Sequence, residues 1–150
     1  MMPLQFSQPD QQLTLDYMES FITLDGNRYA AFCDEVQLRS HFQPVYSLAH
    51  QRIVGFEALI RPSLADGIPI EPLLLFSDAS SLAQSVFIDR LCRTLHINNF
   101  MQQADNEAWL FLNLNPLTTI HGKQFGAFFK ELLQRNGIPP HRIVIEILEG

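Results

Sequence analysis

Two ionisable residues, Glu57 and Arg61, interrupt an otherwise apolar, strand-like run that begins at Ile53 and passes through Phe56-Glu-Ala-Leu-Ile-Arg-Pro62. A buried charge without a partner costs several kcal/mol, so a strand rarely carries both signs for packing alone. Side chains alternate along a strand, which puts Glu57, Leu59 and Arg61 on one side. One acid and one base at that spacing suit a cation and an anion held side by side. Two later apolar runs carry polar groups near their C-terminal ends: Asn113 and Asn115 in one, Glu146 and Glu149 in the other. In β/α architectures ligands bind at the C-terminal ends of parallel strands. Glu57, Asn113 and Glu146, three oxygen donors from three strands, suit a hard divalent cation such as Mg²⁺ or Mn²⁺. Each residue also admits a plain structural reading. Asn113-Leu-Asn-Pro116 is compatible with turn chemistry, Glu146 with an ion pair to Arg142, and Glu149 with simple exposure.

Other chemistries find less support. The five histidines lack ligand spacing and read as loop and helix-surface residues. Cys33 and Cys92 form neither a disulfide framework nor a metal-ligand pair, and read as buried, reduced thiols. Asp89-Arg90 reads as a capping or helix–barrel contact. There is no glycine-rich phosphate loop, nucleophile elbow or Cys/His pair.

The elements that must position these groups follow from hydrophobic pattern and turn residues. Residues 1–12 are rich in Gln and Pro and read as extended or disordered. The segment Leu15 to Leu24 gives mixed signals, and Asp25-Gly26 marks a turn. Tyr29 to Leu38 has a loose helical rhythm that predicts a lead-in helix. Phe42–Leu48 and Ile53–Ile60 read as strands joined by a connection of hairpin length, hence antiparallel neighbours. Pro44 cannot donate to a ladder, so the first of them starts or runs along an edge there. A loop over 63–71 leads to a short helix from Pro72 and a longer one from Leu82 to about Gln102, capped by Ser80 or Ser81. A strand over 108–114, a helix over 125–135 closed by Asn136-Gly137, and a strand over 142–148 complete the order. Apolar runs separated by helices predict a parallel sheet buried on both faces.

The chain has 150 residues, 47% hydrophobic and 17% charged, which fits one domain with a real core. A formal charge of −6 argues against binding a nucleic-acid polymer. No apolar run approaches the ~18 residues of a membrane span. The N-terminus lacks a secretory signal pattern, so a cytoplasmic location is expected.

At these residues the chain resembles the EAL domain family, bacterial phosphodiesterases of cyclic di-GMP. The resemblance covers roughly Arg39 to Gly150, with residues 1–38 left as an N-terminal extension. It rests on four blocks in order: Phe42-Gln-Pro-Val45, Glu57-Ala-Leu-Ile-Arg61, Leu112-Asn-Leu-Asn-Pro116 and Ile145-Glu-Ile-Leu-Glu149. It implies a TIM-like β/α barrel whose first strand runs antiparallel, with about four strands present and the barrel incomplete. It further implies that Glu57, Asn113 and Glu146 bind catalytic metals, that Gln43 and Arg61 contact the dinucleotide, and that Glu149 supports a loop beside the metals.

Asn115 stands where the family usually has Ser, and Leu148 where it usually has Thr. The family's downstream Asp-Asp pair is absent, and the only lysines are Lys123 and Lys130. The expectation is therefore an N-terminal half of the domain that is inactive by itself. Cyclic di-GMP would bind weakly or not at all, and the open barrel would self-associate or be completed by another polypeptide. The alternative is a non-catalytic EAL-like module that regulates through a protein partner.

Overall fold

A computed structural model describes residues 13–77, 82–103, 107–114 and 125–147. Its first helix, α1 (Leu15–Glu19), is capped by Thr14, whose Oγ1 accepts from the Tyr17 N–H at 3.2 Å, and it buries Leu15 and Met18. Six strands follow around three more helices: β1 (Ile22–Asp25), β2 (Arg28–Cys33), β3 (Val36–Ser47), β4 (Arg52–Leu64), α2 (Pro72–Ser77), α3 (Leu82–Phe100), β5 (Trp109–Leu114), α4 (Phe125–Asn136) and β6 (Ile143–Ile147). They form one open sheet in the order β1-β2-β3-β4-β5-β6. β1 to β4 pair antiparallel, and β4-β5 and β5-β6 pair parallel. The architecture is a partial β/α barrel.

The expected hairpin is present and longer than its apolar pattern implied. Its ladder extends from Val36↔Leu64 to Ser47↔Arg52, with an irregularity at Val45/Tyr46. β2 pairs with β3 only as far as Leu38, so among the described residues β3 has a neighbour on one side only at Pro44. The missing N–H is tolerated at such an edge.

The lead-in helix over Tyr29–Leu38 is not formed. Those residues make β2, a tight turn and the start of β3. Asp34 takes a positive φ of 51° at the turn, and Val36 and Leu38 are buried while Gln37 and Arg39 are half-buried. That is a period of two, and it extends the sheet from four strands to six. The strand β3 runs through position 39 without a break, so the extension and the first block share one element.

Period two also decides the core. Phe42, Ala58, Leu112 and Ile145 stand in register on one face, as do Phe56, Leu110 and Ile143. This face packs on α3, which is buried along most of its length, with Leu91, Leu95 and Ile97 fully enclosed. The expectation of burial on both faces fails among the described residues: β5 alternates exposed or half-buried with buried positions, and β6 ends in three exposed ones. Helices cover one face only.

Polar residues inside this core are paired. Arg93 and Asp89 form a buried ion pair at 2.8 Å, and Arg90 donates to the Leu13 carbonyl at 2.7 Å, the packing role expected of Asp89-Arg90. Both guanidinium groups lie over the Phe128 ring. Cys33 and Cys92 are buried free thiols, as expected, and burial pushes the Cys33 thiol up to about 12.

His96 departs from the surface reading. Its Nδ1 meets the Ser40 hydroxyl at 2.8 Å, and Ser40 accepts from the Asn99 amide at 3.2 Å. Asn99 also bonds both backbone groups of Tyr29, so one cluster fastens β2 and β3 to α3. Burial pulls the His96 imidazole down to about 4.

Candidate functional site

The second face of the sheet collects the residues singled out from sequence. On β3 it carries Arg39, His41 and Gln43, and directly across on β4 it carries Arg61, Leu59 and Glu57. Phe111 stands beside Glu57, and two residues on, Asn113 stands beside Glu146. Four strands thus place Gln43 beside Glu57, and Asn113 beside Glu146, in two neighbouring rows of one face.

Between these rows the Asn113 Nδ2 donates to the Glu57 Oε2 at 2.9 Å. The bond crosses from β5 to β4, so the Asn113 side chain serves a neighbouring strand. Using its N–H₂ on Glu57 leaves the Asn113 carbonyl oxygen free for another partner. The Glu146 side of its row is exposed. Arg142 is engaged elsewhere, with its Nε on the Ala108 carbonyl at 3.0 Å and its guanidinium over the Phe100 ring. Asn115 and Glu149 lie outside the described residues.

The close approach of β4 to β5 that permits this contact depends on Gly55. It is the register partner of Trp109, and a Cβ there would run into the Trp109 carbonyl oxygen. Arg61 lies four residues beyond Glu57, where it lines a cavity of about 480 Å³ together with Arg39, Ser63 and Glu71. Arg39 was not singled out from sequence, although the same alternation that relates Glu57 to Arg61 relates Gln43 to Arg39.

A domain-family model for the EAL domain matches residues 27–150, well over half of the chain. The chain belongs to the EAL domain family. The match begins ahead of Arg39 and takes in β2. No curated protein matches.

Among solved structures, the Bacillus subtilis YkuI protein with an EAL domain, in complex with cyclic di-GMP and calcium, is 30% identical with a TM-score of 0.60. The match covers 78% of this chain and 30% of that one. Klebsiella pneumoniae BlrP1 in a manganese/cyclic di-GMP complex is 22% identical with a TM-score of 0.60, covering 73% and 27%. The Xanthomonas citri FimX EAL domain in complex with cyclic di-GMP is 23% identical with a TM-score of 0.60, covering 75% and 44%. This EAL chain therefore spans less than half the length of each of these structures.

No group of three or more His, Cys, Asp or Glu converges among the described residues. The oxygen-bearing groups on this face are the Glu57 carboxylate, the Asn113 amide bonded to it, and the Glu146 carboxylate beside Asn113 in register. An all-oxygen set suits a hard ion and lacks the Cys and His ligands of a structural zinc site.

Proposed function

We propose that this chain forms part of an EAL-type cyclic di-GMP phosphodiesterase site, with Glu57, Asn113 and Glu146 as ligands for Mg²⁺ or Mn²⁺. The observation that carries the reading is the Asn113–Glu57 hydrogen bond on a sheet face that also presents Gln43 and Glu146. A cation bound there would draw charge from a phosphodiester and make a nearby water more acidic. Gln43, directly across from Glu57, would bind the dinucleotide by its amide, and Arg61 would hold a phosphate by charge-assisted hydrogen bonds. Glu149 is assigned support of the loop beside the metal.

Two-metal hydrolysis clamps both the attacking and the leaving oxygen. Three ligands on three strands do not supply two such ions, so these 150 residues by themselves are assigned no hydrolysis. Titration of Mn²⁺ into wild type and Glu57→Ala tests the site directly. Equal affinities would remove the assignment.

A second reading, a non-catalytic EAL-like module acting through a protein partner, draws on a different observation. Tyr46, Ile53 and Trp109 are exposed, and among the described residues β3 beyond Leu38 and β6 each have a neighbour on one side only. Open edges and apolar side chains of this kind favour pairing with another polypeptide, a second copy included. Among the described residues no helix is long and apolar enough to cross a membrane. We assign the chain to the cytoplasm, where a nucleotide messenger would reach it.

A further inference from the structure

We propose that Arg39 is a second anion-binding residue of this site, acting with Arg61 to hold one phosphodiester of the ligand. The inference rests on the cyclic di-GMP reading above. Arg39 and Arg61 are register partners, so two cations stand directly across an antiparallel pair. Like charges in that relation destabilise a sheet. Asp25 compensates one of them, binding the Arg39 Nη2 at 2.5 Å. Among the described residues Arg61 has no carboxylate partner, and its Nη1 makes only a long 3.4 Å bond to the Ile60 carbonyl. A pair of this kind is relieved by an anion.

The space for that anion is present. Both arginines line the cavity of about 480 Å³, and Ser63, two residues beyond Arg61 on the same face, adds a hydroxyl. The wall is stiff: Pro62, Pro69 and Pro72 line it, Ser63 bridges to Pro69, and the Ile70 N–H bonds the Pro62 carbonyl at 2.9 Å. A preformed wall spares the ligand the cost of ordering it. A guanidinium has five N–H donors, so the single bond to Asp25 orients Arg39 and leaves donors for a ligand. Glu71 is the one acid in the lining, which favours a singly charged diester over a doubly charged monoester.

The test is isothermal titration of cyclic di-GMP, with Mn²⁺ present, into wild type, Arg39→Ala, Arg61→Ala, Glu57→Ala and Asp25→Asn. Arg39→Ala is expected to weaken binding by about tenfold or more, as loss of a hydrogen bond to a charged group does. Asp25→Asn, which breaks the ion pair but keeps Arg39, is expected to bind as well as wild type or better. Equal weakening by Asp25→Asn and Arg39→Ala would show that Arg39 acts only as a strut for β1, and would overturn the proposal. If Glu57→Ala and Arg61→Ala weaken binding while Arg39→Ala does not, this inference fails and the cyclic di-GMP reading stands. No wild-type binding at millimolar nucleotide would overturn this inference, whereas equal Mn²⁺ affinities of wild type and Glu57→Ala would overturn the reading beneath it.

Discussion

Asn113 on β5 hands its amide hydrogen to the Glu57 carboxylate on β4 at 2.9 Å, on the sheet face that no helix covers among the described residues. The donor holds the carboxylate in place while its own carbonyl oxygen stays available. Asn113→Asp removes that donor and sets two carboxylates against each other. The expected result is a fold destabilised by about 1–3 kcal/mol without metal, recovering as Mn²⁺ is added. Thermal melts with and without Mn²⁺ measure it, and Asn113→Ala, which adds no charge, should show no such recovery.

Gly55 sets how closely β4 and β5 approach. Gly55→Ala drives a methyl group into the Trp109 carbonyl, against backbone that cannot swing aside. A loss of about 1–3 kcal/mol is expected in urea unfolding, with weaker metal binding because Glu57 and Asn113 move apart. An unchanged midpoint would show that the strands tolerate a wider spacing.

Acid should loosen the attachment of α3 to the sheet through His96. Its folded-state value of about 4 lies below the ordinary value of 6.5, so the unfolded chain takes up this proton first. Stability is unaffected by His96 above that ordinary value, falls as the pH drops from there to about 4, and changes no further below. Between pH 7 and 5 the loss from this one group is about 2 kcal/mol. Urea unfolding at the two pH values should show it in wild type and not in His96→Gln, which keeps an acceptor for Ser40.

The open sheet predicts self-association. At micromolar concentration, sedimentation velocity should give species heavier than the monomer, and a lysine replacing Ile145 or Ile147, exposed on the edge strand β6, should shift them toward monomer. A stable dilute monomer with a cooperative melt would count against this.

The local order of strands and helices from Phe42 onward was legible because turn residues and hydrophobic runs report it directly. The β3-β4 hairpin, the start of α2 at Pro72, the body of α3 and the close of α4 before Gly137 follow that reading. Residues Tyr29 to Cys33 misled it, since a short buried strand with adjacent alanines mimics helical spacing until its partners supply the ladder. His96 was illegible for a related reason: only the tertiary contact with Ser40 distinguishes a buried histidine from one on a helix surface.

For the candidate site, residue type and strand parity alone determined that Glu57 and Arg61 share a face and that Asn113 and Glu146 sit near strand ends. Alternation along a strand is a property of the backbone and needs no partner. Which strands are neighbours, and in what register, is set by long-range pairing that no local pattern contains. The tertiary structure therefore decided that Gln43 faces Glu57, that Asn113 reaches Glu57 as well as standing beside Glu146, and that Arg39 lies across from Arg61 over a shared cavity.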